Sequence, residues 1–275
     1  DQMLDSPTNN FATFNPLAID GNNHNGSLSE ASLKWTQGTG NIHSNCRSTI
    51  AVDSGKWYFE GLCVSASADS QMVGIMSVTT KAPAPDGAQL SQASGTPSYS
   101  LEVRGSKYKN TTETASWSSA WTGGGDILGV SIDFTGATGS IYFYINGVLQ
   151  GGTAAFTDID LSDKWHFAVS GYANDVWKAN FGQDSSFAGA KTAQGNQDDN
   201  EIGDFYYAPP AGFLALCTKN LPEPTVVPNE HFNTVLYTGN GGTLAVSGTG
   251  FQADLVWIKS RTSANWHWLS NTISG

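Results

Sequence analysis

Asp126-Ile-Leu-Gly-Val-Ser-Ile-Asp133 and Ile141-Tyr-Phe-Tyr-Ile-Asn-Gly147 decide the fold class of this chain. Each segment has the length and the Val, Ile and aromatic content of a β-strand. A short Gly-containing bend separates them, and the second segment ends in Asn146-Gly147. This pair tolerates the positive φ angles of a type I′ turn better than other pairs. The stretch therefore predicts antiparallel strands joined by tight turns.

Gly55-Lys-Trp-Tyr-Phe-Glu60 begins a further strand that continues to Cys63. Because side chains alternate along a strand, one face carries Trp57, Phe59 and Cys63, and the other carries Tyr58, Glu60 and Leu62. The two faces differ little in polarity, which predicts burial on both sides or at an interface. We expect most of the following residues to lie buried between two antiparallel sheets: Trp57, Phe59, Val130, Ile132, Ile141, Phe143 and Ile145.

The composition favours an all-β protein. There are 31 glycines, and only 13% of the residues are charged while 11% are aromatic. Such a composition suits short strands joined by many tight turns. A chain of 275 residues is long enough to bury a substantial core.

The charge balance disfavours two kinds of partner. The formal net charge is −11, whereas neutralising phosphates needs clustered Lys and Arg. We therefore expect neither nucleic acid nor an anionic membrane surface as a partner. No apolar run approaches the roughly 20 residues needed to cross a bilayer, and residues 1–16 lack the pattern of a signal peptide. The sequence predicts a soluble protein without membrane insertion.

In chain order, these strands together with Val73-Gly-Ile75 and Asn180-Phe-Gly-Gln183 resemble a SPRY domain. The resemblance covers about residues 28–187. It implies a concanavalin A-like β-sandwich, or jelly roll, that serves as a binding module. It also implies that a ligand docks on loops at one edge of the sandwich, so binding rather than catalysis is the leading hypothesis.

The chain divides into four regions by composition. The first is rich in Asn, Asp, Pro and Ser and is predicted to pack on the next region through Phe11 and Phe14. The last offers three short strands, which bury too little surface to be stable alone. The predicted regions are an extended N-terminal lead at 1–27, the sandwich at 28–205, a Pro-rich linker at 206–225, and a small β segment at 226–275 with strands at 234–238, 243–246 and 253–259.

Three segments carry a second resemblance, which extends over nearly the whole chain. They are Asp5-Ser-Pro-Thr-Asn-Asn-Phe-Ala-Thr-Phe-Asn-Pro16, the segment Pro210–Pro224, and Gly250-Phe-Gln-Ala-Asp-Leu-Val-Trp-Ile-Lys-Ser-Arg261. Together with the sandwich they look like tail fibre and tail appendage proteins of bacteriophages. The resemblance implies a virion location, other tail or virion proteins as partners, a homo-oligomer such as a trimer, and a chain that continues beyond Gly275.

The sequence predicts no catalytic residue, metal site or cofactor. The Glu-x-Asp-x-x-Glu run of concanavalin-like glucanases is missing, and its nearest approach is Glu201-Ile-Gly-Asp204. Nucleophile elbows, phosphate loops and zinc helices are missing too. Cys46, Cys63 and Cys217 are odd in number and far apart, which predicts free, buried thiols. Aspartates at strand ends are explained by local hydrogen bonds, although calcium at such loops stays open.

Tyr99, Tyr108, Trp117 and Trp121 are the candidate ligand-binding residues. They lie among Ser, Thr and Gly with little core patterning. A Trp face can stack on a sugar ring or receive a peptide side chain. The alternative is that these aromatics fill small clusters beneath the loops or contact another subunit.

The function predicted from the sequence is therefore adhesive and structural, without enzymatic activity. The chain is expected to be part of a phage tail fibre or appendage that presents a surface for a host glycan or protein receptor. Two alternatives stay open at this point, a phage polysaccharide depolymerase and a purely structural capsid-decorating or tail scaffold protein.

Overall fold

The structure is a computed structural model, and the regular secondary structure of its described residues is nearly all β-strand. It describes residues 5–6, 8–18, 26–40, 42–65, 71–79, 89–91, 95, 97–122, 124–223 and 225–273. The chain divides into two units, Asp1–Leu221 and Pro222–Gly275. In the described residues the helices are 3-10 turns at Pro16–Ala18 and Pro228–Glu230, and no helix there is long and apolar enough to cross a membrane.

The first unit contains the strands β1 to β15. They are β1 Ser27–Ser29, β2 Lys34–Thr36, β3 Ser44–Val52, β4 Lys56–Ser65, β5 Met72–Ser77, β6 Ser98–Glu102, β7 Lys107–Lys109, β8 Thr112–Thr114, β9 Ile127–Asp133, β10 Gly139–Ile145, β11 Val148–Leu149, β12 Phe156–Ile159, β13 Trp165–Gly171, β14 Val176–Asn180 and β15 Leu214–Ala215.

These strands form two sheets. The first sheet has the order β1-β2-β14-β4-β9-β10-β11, with β12 beside β10 and β15 beside β4. The second sheet has the order β3-β13-β5-β6-β7-β8. Every pairing is antiparallel except the parallel pair of β15 and β4. The inner faces of the two sheets supply one hydrophobic core, which confirms the predicted all-β antiparallel sandwich.

β4 lies at the centre of the first sheet and is buried on both faces, as its sequence predicts. Trp57 and Phe59 point into the core between the sheets. Tyr58 and Leu62 lie on the other face and belong to two separate buried clusters. Tyr58 packs with Phe205 and Phe213, and Leu62 packs with Phe187. The other predicted core residues of β9 and β10 are buried as well, except for Ile145, which is partly exposed.

Both ends of the first unit pack on the sandwich. Phe11 and Phe14 are buried, as predicted for the N-terminal lead. The amide of Ala12 donates to the carbonyl of Leu216, and Phe11 pairs with Cys217. The prediction of a linker at 206–225 is therefore wrong as far as Leu221. This segment pairs with β4 through β15 and with the lead through Cys217.

The second unit has less regular structure than the sequence predicts. β16 Leu255–Ile258 pairs with β17 Trp268–Asn271. The segments 234–238 and 243–246 are not strands, and most of their residues are exposed. Within the described residues β16 and β17 form a two-stranded sheet, and neither of these two segments pairs with it. All four residues of β16 are exposed, including Trp257.

The turn after β10 is the one predicted from Asn146-Gly147. Asn146 has φ 49° and Gly147 has φ 77°, and Ile145 pairs with Val148 across the turn. Positive φ at both central residues defines a type I′ turn. The ring of Tyr207 lies directly over Gly147, where a Cβ atom would come within 2.6 Å of the Tyr207 Cδ1 atom.

Replacing Gly147 with Ala should destabilise the first unit more than replacing Gly152 with Ala. Both glycines have positive φ, 77° and 69°. An alanine at either position is strained by about 1 kcal/mol. A Cβ at Gly152 meets nothing within 4 Å, whereas a Cβ at Gly147 collides with Tyr207. Urea unfolding should show an additional loss of on the order of 1 kcal/mol for Gly147→Ala. Equal losses would contradict the contact with Tyr207.

Candidate functional site

The four aromatic residues predicted to form a ligand platform do not form one. Tyr99, Tyr108 and Trp121 are only 4%, 5% and 3% exposed, and Trp117 is partly buried. Trp121 lies in the main core, with its ring 5.6 Å from that of Trp177 and its Nε1 donating to the carbonyl of Glu102. The prediction of a shared exposed platform is therefore wrong. The alternative interpretation, that these residues fill clusters beneath the loops, fits the structure.

Tyr108 points away from the other three. It lies on the outer face of the second sheet and packs with Met72, Met76 and Leu90. Its neighbours in β7 are Lys107 and Lys109, whose side chains turn toward the first sheet. Since Tyr108 and Tyr99 project to opposite faces of their sheet, no single ligand can contact both.

Tyr99 and Trp117 take part in contacts that connect the two sheets. The Lys107 Nζ lies 4.9 Å from the Trp117 ring centroid and 4.8 Å from that of Phe156, and it donates to the carbonyl of Ala155. The Tyr99 hydroxyl donates to the carbonyl of Asp158 at 3.0 Å. These contacts connect β6 and β7 of the second sheet to residues 155–158 of the first. The lysine occupies the aromatic faces that a ligand would need.

The buried carboxylate of Glu60 holds the end of the first unit on the sandwich. Its Oε2 accepts from the Tyr206 amide at 2.9 Å and from Asn180 Nδ2 at 3.1 Å. Its Oε1 accepts from the Tyr207 amide at 2.8 Å and from the Tyr58 hydroxyl at 3.3 Å. Burial raises the pKa of Glu60 to about 7, although these hydrogen bonds favour the ionised form and lower it. The carboxylate is fully enclosed, and its four donors are protein groups.

Tyr142, Tyr144, Tyr206 and Tyr207 lie on the outer face of the first sheet, and we call this surface the tyrosine face. All four residues are partly exposed. Tyr142 and Tyr144 alternate with buried residues of β10, and the rings of Tyr206 and Tyr207 lie 5.0 Å apart. Tyr58 connects the two pairs beneath the surface, because its ring lies 6.2 Å from that of Tyr144 and its hydroxyl bonds Glu60.

The tyrosine face has a fixed backbone and neutral hydroxyls. Glu60 binds the amides of Tyr206 and Tyr207, and the ring of Tyr207 rests on the turn after β10. Burial raises the pKa of Tyr144 and of Tyr207, so both stay protonated at neutral pH. Each hydroxyl can therefore donate and accept a hydrogen bond beside an apolar ring. This combination suits binding of a glycan or a protein surface.

The alternation of side chains along β10 indicates two of the four tyrosines of the tyrosine face. Tyr142 and Tyr144 flank Phe143, so an inward Phe143 requires two outward tyrosines. Nothing local indicates that Tyr206 and Tyr207 join them, because the contact with Glu60 spans 146 residues for Tyr206 and 147 for Tyr207.

The remaining acidic candidates serve local structure. Asp126 accepts from Thr122 and Asn146, and Asp133 accepts from Thr135, as expected of aspartates at strand ends. Glu201 is exposed on a turn, while Asp204 accepts from the Gly195 amide. Among the described residues no group of three His, Cys, Asp or Glu side chains could hold a metal ion. Cys46, Cys63 and Cys217 are free and buried.

Comparison with known proteins gives two findings. A family model described as a domain of unknown function (DUF7483) matches residues 227–275. The SPRY domain of human HERC1 is similar to this chain, with a TM-score of 0.47, 19% sequence identity, and coverage of 60% of this chain and 96% of that domain. No curated protein matches the sequence. The assignment of the β-sandwich rests on the strand pairings described above.

Trp121→Ala should destabilise the first unit far more than Trp117→Ala. Trp121 is a core residue, and truncating a buried Trp costs about 3–5 kcal/mol. Trp117 is partly exposed and contacts Phe143 and Lys107 at the edge, so its truncation should lower the free energy of unfolding by about 1–2 kcal/mol. Urea unfolding of both variants checks this order. The reverse order would contradict the placement of Trp121 in the core.

Glu60→Gln should change how the stability of the first unit depends on pH. The folded-state pKa of Glu60 is about 7, above its ordinary value of 4.5. Between these two pH values the folded state therefore binds more protons than the unfolded state. The wild-type free energy of unfolding should then fall relative to the variant as pH rises from about 4.5 to about 7, by up to about 3 kcal/mol.

His166 changes the free energy of unfolding in the opposite direction as pH rises, so the wild type has to be compared with Glu60→Gln. Burial lowers its pKa to about 4, so it adds stability as pH rises through the same window. Both proteins contain His166, and its contribution cancels when the curve of Glu60→Gln is subtracted from that of the wild type. Urea unfolding at several pH values supplies the two curves. A flat or rising difference would refute the assignment to Glu60.

Proposed function

We propose that this chain is a non-enzymatic bacteriophage virion protein, a tail fibre or tail appendage component that presents a host-recognition surface. The observation that carries this proposal is the tyrosine face, a partly exposed aromatic surface fixed to a rigid sheet. The assignment to a phage virion is supported by the sequence resemblance of the lead, the sandwich and the segment 250–261 to tail proteins. The ligand is a glycan or a protein on the host cell.

The chemistry of the tyrosine face favours recognition. Tyrosine is enriched where interfaces derive most of their binding energy, because it combines a large apolar ring with a hydrogen-bonding group. The amides of Tyr206 and Tyr207 are already bound by Glu60, and β10 holds Tyr142 and Tyr144 in register. Little conformational entropy of the backbone is lost on binding, which improves affinity.

The second unit supports a role in assembly. Its hairpin exposes large apolar side chains, with Trp257 65% and Trp268 68% exposed. A two-stranded hairpin is marginally stable in water, and exposed apolar surface of this extent marks an interaction site. We assign this surface to contacts with other tail or virion proteins, or with further copies of the chain in a homo-oligomer such as a trimer.

The chain of residues 1–275, carrying a fluorescent label, should adhere to intact cells of the bacterial host. Replacing both Tyr142 and Tyr206 with Ala should reduce this adhesion about tenfold or more, because lost aromatic anchors typically cost 1–2 kcal/mol. Tyr172→Ala is the matched control, since Tyr172 is another partly exposed tyrosine, but its ring contacts that of His43 at a centroid distance of 4.7 Å and is not part of the tyrosine face. Adhesion measured by flow cytometry should not change in this control.

Two results would overturn the proposal. Equal adhesion of the wild type and the double variant would remove the tyrosine face from recognition, and no adhesion at all would favour a purely structural decorating or scaffold protein. A separate assay of reducing-sugar release from host polysaccharide should give no product. Release by the purified chain would instead favour a depolymerase.

A further inference from the structure

Exposed apolar side chains are concentrated in the second unit. Among the described residues, 19 large apolar side chains are exposed, of which four lie in the first unit and 15 in the second. The second unit is nevertheless the smaller of the two, since it begins only at Pro222. Soluble proteins rarely leave so much apolar surface without a partner, so the second unit is expected to bury this surface against another chain.

The hairpin of β16 and β17 is apolar on both faces of β16. Because side chains alternate along a strand, Val256 and Ile258 project from one face, and Leu255 and Trp257 project from the other. All four side chains are exposed. An antiparallel strand at the surface usually has one polar face, whereas a strand that is apolar on both faces is typical of the interior of a larger sheet. The composition of β16 therefore indicates a further strand beside it.

One edge of β16 is free to receive such a strand. The amide of Thr272 donates to the carbonyl of Asp254 at 2.9 Å, so these two residues are a hydrogen-bonded pair across the hairpin. Hydrogen-bonded positions alternate along an antiparallel pair. Val256 therefore also bonds β17, whereas the amides and carbonyls of Leu255 and Trp257 point away from it. Within the described residues no strand other than β17 pairs with β16.

A cleft of about 800 Å³ runs along this free edge. The consecutive residues Val256, Trp257 and Ile258 all line the cleft, which places it beside the backbone of β16 and not over one face alone. Tyr237 and Leu244 line it as well, and they belong to two extended segments that pair with no described strand. The backbone groups of the free edge are therefore accessible to another chain.

We infer that β16 pairs with β16 of a second copy of this chain, antiparallel and about a two-fold axis. The charges at the ends of the strand identify this partner, because Asp254 precedes the apolar residues while Lys259 and Arg261 follow them. Neither cation forms an ion pair within the described part of the chain. Antiparallel pairing brings the acidic end of each strand beside the basic end of the other, where opposite charges attract. The inference rests on the assembly role proposed above for the second unit and names the chain itself as the partner.

The direction of the free backbone groups restricts the register of this pairing. In an antiparallel pair, a residue that points to the partner strand must face a residue that does the same. Trp257 points to the free edge, so it can lie on the two-fold axis opposite Trp257 of the second copy. This register places Asp254 of each copy opposite Ser260 of the other, between Lys259 and Arg261. The result is a four-stranded sheet, with one hairpin from each copy.

Sedimentation velocity on the chain of residues 1–275 should show a reversible dimer, with a Kd on the order of 10 μM for so small an interface. Leu255→Pro should raise this Kd about tenfold or more, because each copy loses an amide N–H that points to its partner. The hairpin itself keeps its hydrogen bonds, since proline is tolerated at the first residue of a strand and on a free edge. Leu255→Ala is the matched control. It removes the same side chain but keeps the amide, so its Kd should lie well below that of Leu255→Pro.

Charge reversal tests whether the partner is a second copy. Asp254→Lys should weaken dimerisation about tenfold, because like charges then meet at both ends of the paired strands. Adding Lys259→Glu and Arg261→Glu to Asp254→Lys should restore the dimer, since the charge pattern is then reversed but complementary again. Restoration by changes within one chain is expected only if the two paired strands are identical.

Three results would overturn the inference: a chain that stays monomeric up to about 100 μM, a dimer that Leu255→Pro weakens no more than Leu255→Ala, or a charge-reversed variant that stays as weak as Asp254→Lys. Adhesion to host cells separates this inference from the proposed recognition. A monomeric chain that adheres would overturn the pairing of β16 and leave the recognition standing. A dimer with the predicted responses that does not adhere would support the pairing and overturn only the recognition.

Discussion

The first unit depends on one buried carboxylate. Glu60 lies on the central strand of the first sheet with no exposed surface, and an unpaired carboxylate there would destabilise the fold strongly. Its oxygens accept from Tyr58, Asn180 and the amides of Tyr206 and Tyr207. Since two of these donors come from the end of the unit, the sandwich is complete only when residues 206–221 pack on it. The lead is bound by the same segment.

This constraint connects the fold to the proposed function. The hydrogen bonds that satisfy Glu60 also fix the backbone of Tyr206 and Tyr207 beside Tyr142 and Tyr144. Gly147 in the turn has no side chain, so the Tyr207 ring can rest against its backbone. A glycine at this turn therefore serves the hairpin and the tyrosine face together. The backbone of the tyrosine face is therefore ordered before a ligand binds.

Local sequence patterns predict the sheets, whereas long-range contacts decide the sites. The alternation in β4, β9 and β10 and the pair Asn146-Gly147 were sufficient for the strands, the turn and the core. The Ser and Gly residues around Trp121 indicate exposure, yet its amide donates to the carbonyl of Val103 and its ring lies in the core. The prolines that follow Tyr206 and Tyr207 indicate an extended linker, and no residue near them in the sequence indicates their contact with Glu60.

Amide hydrogen exchange at Tyr206 and Tyr207 tests whether Glu60 holds the end of the first unit on the sandwich. Both residues lie outside the strands, so their amides owe protection to Glu60. We predict slow exchange at both amides in the wild type. In Glu60→Ala both amides should exchange at least tenfold faster relative to the amides of β9, because their acceptor is gone. Fast exchange in the wild type, or equal protection in the variant, would show that Glu60 does not hold this segment.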